Sequence, residues 1–148
     1  LVVRKEVVPK IVNLAVSLYS CPPSFAQKAA VEAIRGDWSP VEEMVREFEA
    51  RASLLASLLE DVPGFEAYTP QGAFYMFPRV RELLAKTGMN VEDLVKNLLY
   101  EQGVLVLPGT SFPDTAGREY VRFSFATSRD NIREGVERIN AWARKILS

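Results

Sequence analysis

The residue of this chain best suited to chemistry is Arg122. It lies in the run Tyr120–Ala126, which alternates as a strand does. Val121, Phe123 and Phe125 fall on one side, and Tyr120, Arg122, Ser124 and Ala126 fall on the other. A strand this apolar is expected to be well buried, and a buried guanidinium without a partner is costly. Its planar fork suits a carboxylate held by two parallel N–H···O bonds. Spacing alone leaves several settings open: a ligand carboxylate, an internal ion pair with one of the 19 acidic residues, or emergence at the strand end.

Two turns follow or precede strand-like runs and could frame such a site. Pro108-Gly109-Thr110 comes directly after the apolar run Val104–Leu107, and Gly109 could bring its backbone close to a ligand. Pro70-Gln71-Gly72-Ala73 is a second turn, followed by the aromatic pair Phe74 and Tyr75. The single cysteine, Cys21, cannot form an internal disulfide, and with no histidine a metal centre is not expected. In its proline loop Cys21 reads as a reactive thiol or as a small, partly buried residue.

The elements that must position these residues follow from periodicity and punctuation. A helix is expected over Lys5–Leu18, with Pro9 in its first turn and Val8, Ile11, Val12, Ala15 and Leu18 on one face. Ser24 with Gln27 reads as a capping box, and Gly36 as a left-handed helix end. Ser39-Pro40-Val41-Glu42 opens a long helix to about Val62, with the stripe Val41, Met44, Val45, Phe48, Ala52, Leu55, Leu59 and Val62. Strands are expected at 65–69, 73–77, 104–107 and 120–126. Short helices are expected over 80–86 and from an Asn90 cap to Gly103, and a last one from a Ser128 cap with the face Ile132, Val136, Ile139, Trp142 and Ile146. Leu1-Val2-Val3 reads as the end of a buried strand, which suggests a start inside a longer protein.

The fold class this predicts is α+β or α/β: helices at residues 1–36, then a unit at 37–148 with one long helix and a small sheet covered by helices. With 148 residues there is room for a real core. A net charge of −1 leaves no broad basic field for nucleic acid. No apolar run approaches the ~20 residues that span a bilayer. No leader pattern opens the chain, so a cytoplasmic, membrane-free protein is expected.

Pro70-Gln71-Gly72-Ala73-Phe74-Tyr75, Gly103-Val104-Leu105-Val106-Leu107-Pro108-Gly109-Thr110-Ser111-Phe112 and Tyr120–Ser128 occur in that order, with Tyr19-Ser20-Cys21-Pro22-Pro23-Ser24 ahead of them. Together they resemble the C-terminal part of the class I/II, fold-type-I aminotransferases, which use pyridoxal 5′-phosphate. The resemblance implies residues 1–36 as the tail of the large cofactor-binding domain and 37–148 as the small C-terminal domain. It implies Arg122 as the residue that binds the α-carboxylate of an amino acid, Phe74 as an aromatic wall of the pocket, and Gly109 and Thr110 at its mouth. Tyr19 and Ser20 match a cofactor-binding or partner-subunit loop, which in these homodimers reaches toward the partner subunit's site. Val16 stands where aspartate-specific animal and bacterial members carry an arginine for a second carboxylate, which argues against that mode of recognition.

The Ser-Lys and Gly-x-Arg-x-Gly motifs that hold the cofactor in such enzymes are not in this chain, so the isolated chain is expected to be inactive. The intact enzyme would exchange an amino group between an amino acid and a 2-oxo acid. A carbon–sulfur lyase of the same fold, or a non-catalytic amino-acid-binding module of a regulator, is the alternative.

Overall fold

The computed structural model describes residues 2–112 and 115–148. The chain divides into two compact units, Leu1–Glu42 and Glu43–Ser148.

In the first unit, a 3-10 turn at Lys5–Val7 leads into helix α1, Val8–Tyr19, with Pro9 in its first turn, where a missing N–H costs least. Val2 and Val3 are exposed and outside any strand, and Leu1 lies outside the described residues. Helix α2 spans Ser24–Arg35. Its start differs from the expected capping box. Ser24 is already helical and makes no cap bond, while the Gln27 amide donates back to the Pro22 carbonyl at 2.9 Å. Gly36 is extended rather than left-handed, with φ −80°. It is small for another reason: a Cβ there would sit 2.7 Å from the Glu32 carbonyl oxygen. Neither α1 nor α2 buries a side chain within this chain.

Helix α3, Ser39–Glu60, begins in the first unit and continues into the second. Asp37 rather than Ser39 caps it, accepting from the Ser39 amide at 2.9 Å and from the Ser39 hydroxyl. Those two bonds lower the Asp37 pKa. The predicted stripe divides along its length. Ala52, Leu55, Leu59 and Val62 are buried, whereas Val41, Met44 and Val45 are exposed.

The second unit is built on a three-stranded antiparallel sheet of order β1-β3-β2: β1 at Tyr75–Met76, β2 at Leu107–Pro108 and β3 at Val121–Ser124. Tyr75 faces Ser124, Met76 faces Phe123, Leu107 faces Arg122, and Pro108 faces Val121. The strands are shorter than expected, two residues each in β1 and β2 and four in β3. Residues 65–69 form no strand, only a bridge in which Glu66 and Arg79 exchange two 2.9 Å backbone bonds.

Helices α4, Arg81–Thr87, α5, Val91–Gln102, and α6, Arg129–Leu147, complete the unit. Both predicted caps of the last two form. Asn90 accepts from the Asp93 amide at 2.8 Å, and Ser128 from the Asn131 amide at 3.1 Å. Leu55, Leu59, Met76, Leu94, Leu98, Val121, Phe123, Phe125, Val136 and Ile139 are among the buried core residues shared by helices and sheet. Trp142 joins them and donates its indole N–H to Asn97 Oδ1 at 2.8 Å, which ties α6 to α5.

Candidate functional site

Alternation along β3 does at Arg122 what the sequence suggests. Val121 and Phe123 point into the core, and the guanidinium leaves the opposite face half-buried. Residues opposed in an antiparallel pair share a face, so Tyr75, Leu107, Arg122 and Ser124 share this one. Tyr75 lies diagonal to Arg122, within reach of a long side chain.

The guanidinium is held by rings. Its Cζ lies 4.1 Å from the centroid of Tyr75 and 3.7 Å from that of Phe112. Among the described residues it makes no ion pair, so none of the acidic side chains there uses its fork. The neighbouring arginines differ in this respect. Arg79 donates to Glu119 at 2.7 and 2.9 Å, Arg81 to the same carboxylate at 3.0 Å, and Arg129 to Glu47. An arginine packed against two rings, with no ion pair among the described residues, is suited to receive a planar anion.

Phe74 adjoins this group, with its ring 4.3 Å from Tyr75 and 5.9 Å from Phe48, and it is partly exposed. Its carbonyl accepts from the Phe125 amide at 3.0 Å, which fixes the end of β1 against β3. The turn before it is made by a residue other than the glycine. Ala73 adopts φ 59°, whereas Gly72 is not left-handed and has open space around it. A left-handed alanine is uncommon in proteins and is found where surroundings over-determine the backbone.

Gly109 and Thr110 are both engaged within the fold. Gly109 is buried, and its N–H donates to the Tyr120 carbonyl at 2.8 Å. A Cβ there would meet the Gly117 carbonyl oxygen at 2.3 Å. The freedom of this glycine is spent on packing backbone against backbone. The Thr110 hydroxyl is hydrogen-bonded to the Glu92 carboxylate on α5. Both contacts pin the loop that delivers Phe112 to Arg122. Tyr19 and Ser20 lie in the first unit at the end of α1, where Tyr19 is exposed and Ser20 is left-handed at φ 57°. Cys21 is exposed and free.

Comparison with known proteins now decides the family. The model of aminotransferases of class I and II matches residues 1–139. The chain belongs to this family. It is 40% identical to an aspartate aminotransferase of Sulfolobus acidocaldarius over 99% of this chain, and 38% identical to one of Bacillus subtilis over 95%. It is 37% identical to an aromatic-amino-acid aminotransferase of Thermococcus litoralis over 90%. The crystal structure of an aromatic aminotransferase from Pyrococcus horikoshii superposes with a TM-score of 0.84 at 33% identity over 97% of this chain. The chain spans little more than a third of these proteins, 36% of the Sulfolobus protein and 38% of the Pyrococcus structure. The aminotransferase fold here is a small antiparallel sheet with helices packed on it.

Tyr75 and Phe112 were noted in the sequence without a role at Arg122, and Glu92 and Gly117 were not singled out there. The first two lay inside the runs that carry the resemblance. The signal available was the aromatic residues in those runs, two in the first and one in the second, beside chemistry that looked complete in the arginine alone. Glu92 and Gly117 act across distant segments, and no local pattern marks them.

Proposed function

We propose that this chain is the substrate-carboxylate side of a pyridoxal-phosphate-dependent aminotransferase. On this reading residues 37–148 are its small C-terminal domain and residues 1–36 the end of its large domain. Arg122 binds the α-carboxylate of the amino acid and of the 2-oxo acid that replaces it. Phe74 walls the pocket beside it. One observation carries the reading: a half-buried arginine, stacked on two rings, with no acidic partner among the described residues.

Two charge-assisted bonds from one rigid fork fix both the position and the rotation of an amino acid about its carboxylate. The Cα–H bond is thereby aimed, and aiming is the main thing a binding residue contributes to proton transfer. Seating the sheet face over the substrate excludes water, which strengthens those same bonds. Tyr19 and Ser20 are assigned to a loop that meets the partner subunit of a homodimer.

Pyridoxal 5′-phosphate is the cofactor that this reading implies, and this chain's residues do not fit it. Of the six lysines, Lys86, Lys96 and Lys145 lie on helices α4, α5 and α6, and Lys96 is paired with Asp93. Lys5, Lys10 and Lys28 belong to the helical first unit, outside any Ser-Lys motif. The cofactor lysine is therefore assigned to a part of the enzyme that this chain does not span. The purified 148-residue chain, given pyridoxal phosphate, an amino acid and 2-oxoglutarate, is expected to form no new 2-oxo acid. Sustained turnover by it would overturn the assignment.

A further inference from the structure

We infer that Tyr75 and Phe112 form a two-sided aromatic clamp that makes the Arg122 site select planar carboxylates over tetrahedral anions; this rests on the carboxylate reading and deepens it. The geometry begins with the guanidinium itself. Its five N–H groups lie in one plane around Cζ, so a ring approaching in that plane is kept away by the nitrogens. Centroids only 4.1 and 3.7 Å from Cζ are reached along the face normal. One face has room for one ring at such a distance, so Tyr75 covers one face and Phe112 the other.

Two consequences follow. Rotation about the last side-chain bonds is blocked, because turning the fork would drive its edge into a ring. Approach is also restricted to the edge, where the N–H groups lie in the guanidinium plane. A carboxylate meets that edge with both oxygens in the guanidinium plane. A sulfonate can offer two oxygens to the same edge, but its third then projects out of plane toward Tyr75 or Phe112. The face of an aromatic ring carries negative potential and disfavours that oxygen.

The surroundings build the clamp from both sides. Tyr75 is set by β1 pairing and by its contact with Phe74, 4.3 Å between centroids. Phe112 is set by its own amide bond to the Gly109 carbonyl at 3.0 Å and by an edge contact with Phe77 at 6.2 Å, and Phe77 stacks on Tyr120 at 5.3 Å. Phe112 and Tyr75 are thus positioning residues that act through Arg122.

The test uses the intact enzyme and two simple anions of matched chain length, hexanoate and pentane-1-sulfonate, as competitive inhibitors against its amino-acid donor. Wild-type enzyme should bind hexanoate more tightly than the sulfonate by about tenfold or more, because only the sulfonate turns an oxygen toward a ring face. Phe112→Leu and Tyr75→Leu should bring that ratio close to one, and Phe112→Tyr should restore it. Melting temperature identifies a variant that has merely lost its fold, in which case Phe112→Met and Tyr75→Met replace the leucine pair. An unchanged ratio in folded variants at both positions, with inhibition by both anions lost in Arg122→Ala, overturns the clamp and leaves the carboxylate reading standing. Undiminished hexanoate inhibition in Arg122→Ala overturns that reading and the clamp with it.

Discussion

Gly117→Ala should damage the site from a distance, and the reason is steric. At Gly117 an added Cβ would lie 2.2 Å from the Gly109 carbonyl oxygen, 2.3 Å from its carbon and 2.7 Å from the Thr110 amide nitrogen. The first of these is about 1.2 Å short of ordinary van der Waals contact. All three atoms are backbone, so no side chain can swing aside. The segment 109–112 must move by about that amount, against the Gly109–Tyr120 and Thr110–Glu92 hydrogen bonds that hold it. Overpacking of this kind costs roughly 1–3 kcal/mol, and the rigid neighbours place it at the upper end.

Because Phe112 travels with that segment, one face of Arg122 is uncovered. Misplacement of a binding group by about 1 Å can cost up to a hundredfold in kcat/KM. The assay is melting temperature together with KM and kcat for the amino acid, measured in the intact enzyme. Gly72→Ala is the control, since nothing lies within 4 Å of its Cβ position. Gly117→Ala should melt several degrees lower and show a raised KM, while Gly72→Ala should match wild type. Equal behaviour of the two variants would refute the reasoning.

Gly135 offers the opposite case: it sits mid-helix in α6 beside a cavity of about 110 Å³, and an added Cβ would come no nearer than 3.9 Å to Val104. Gly135→Ala should stabilise by about 1 kcal/mol through helix propensity, and a lowered melting temperature would contradict this. Glu47 bonds Arg129 and Arg51, and the Arg129 bond, then the Arg51 bond, pull its carboxyl from 4.5 to about 2. A depressed pKa contributes stability above the unfolded value that is lost as pH falls through the folded one. The melting-temperature gap between wild type and Glu47→Gln should therefore be full at pH 6 and close between about pH 4.5 and 2; a gap independent of pH would contradict it. The first unit buries no side chain of α1 or α2, so limited proteolysis of the isolated chain should remove residues up to about 42 before cutting 43–148. Prior cleavage in the second unit would count against that.

Helix periodicity and caps carried far: Asn90 and Ser128 cap where expected, and the face Ile132, Val136, Ile139 and Trp142 is buried as read. Local patterns suffice there because the caps act within a few residues. They failed where a neighbour decides. Gly36 is extended, Asp37 takes the capping task from Ser39, and Ala73 rather than Gly72 is left-handed. The arginine's strand and face were readable from alternation over seven residues. Its clamp was not, because Phe112 arrives through contacts among Gly109, Gly117, Tyr120 and Glu92 that join segments far apart in sequence. The exposed Val41, Met44 and Val45 continue a stripe whose buried half was read correctly.

The most direct test of the central claim is kcat/KM of Arg122→Ala for the amino-acid substrate in the intact enzyme. Losing one partner of a desolvated charge pair costs roughly 3–5 kcal/mol, so kcat/KM should fall by about two to four orders of magnitude. Arg122→Lys, which keeps the charge but not the planar fork, should recover only part of that loss. A value for Arg122→Ala within about threefold of wild type, with melting temperature unchanged, would contradict the assignment of Arg122 to the substrate carboxylate.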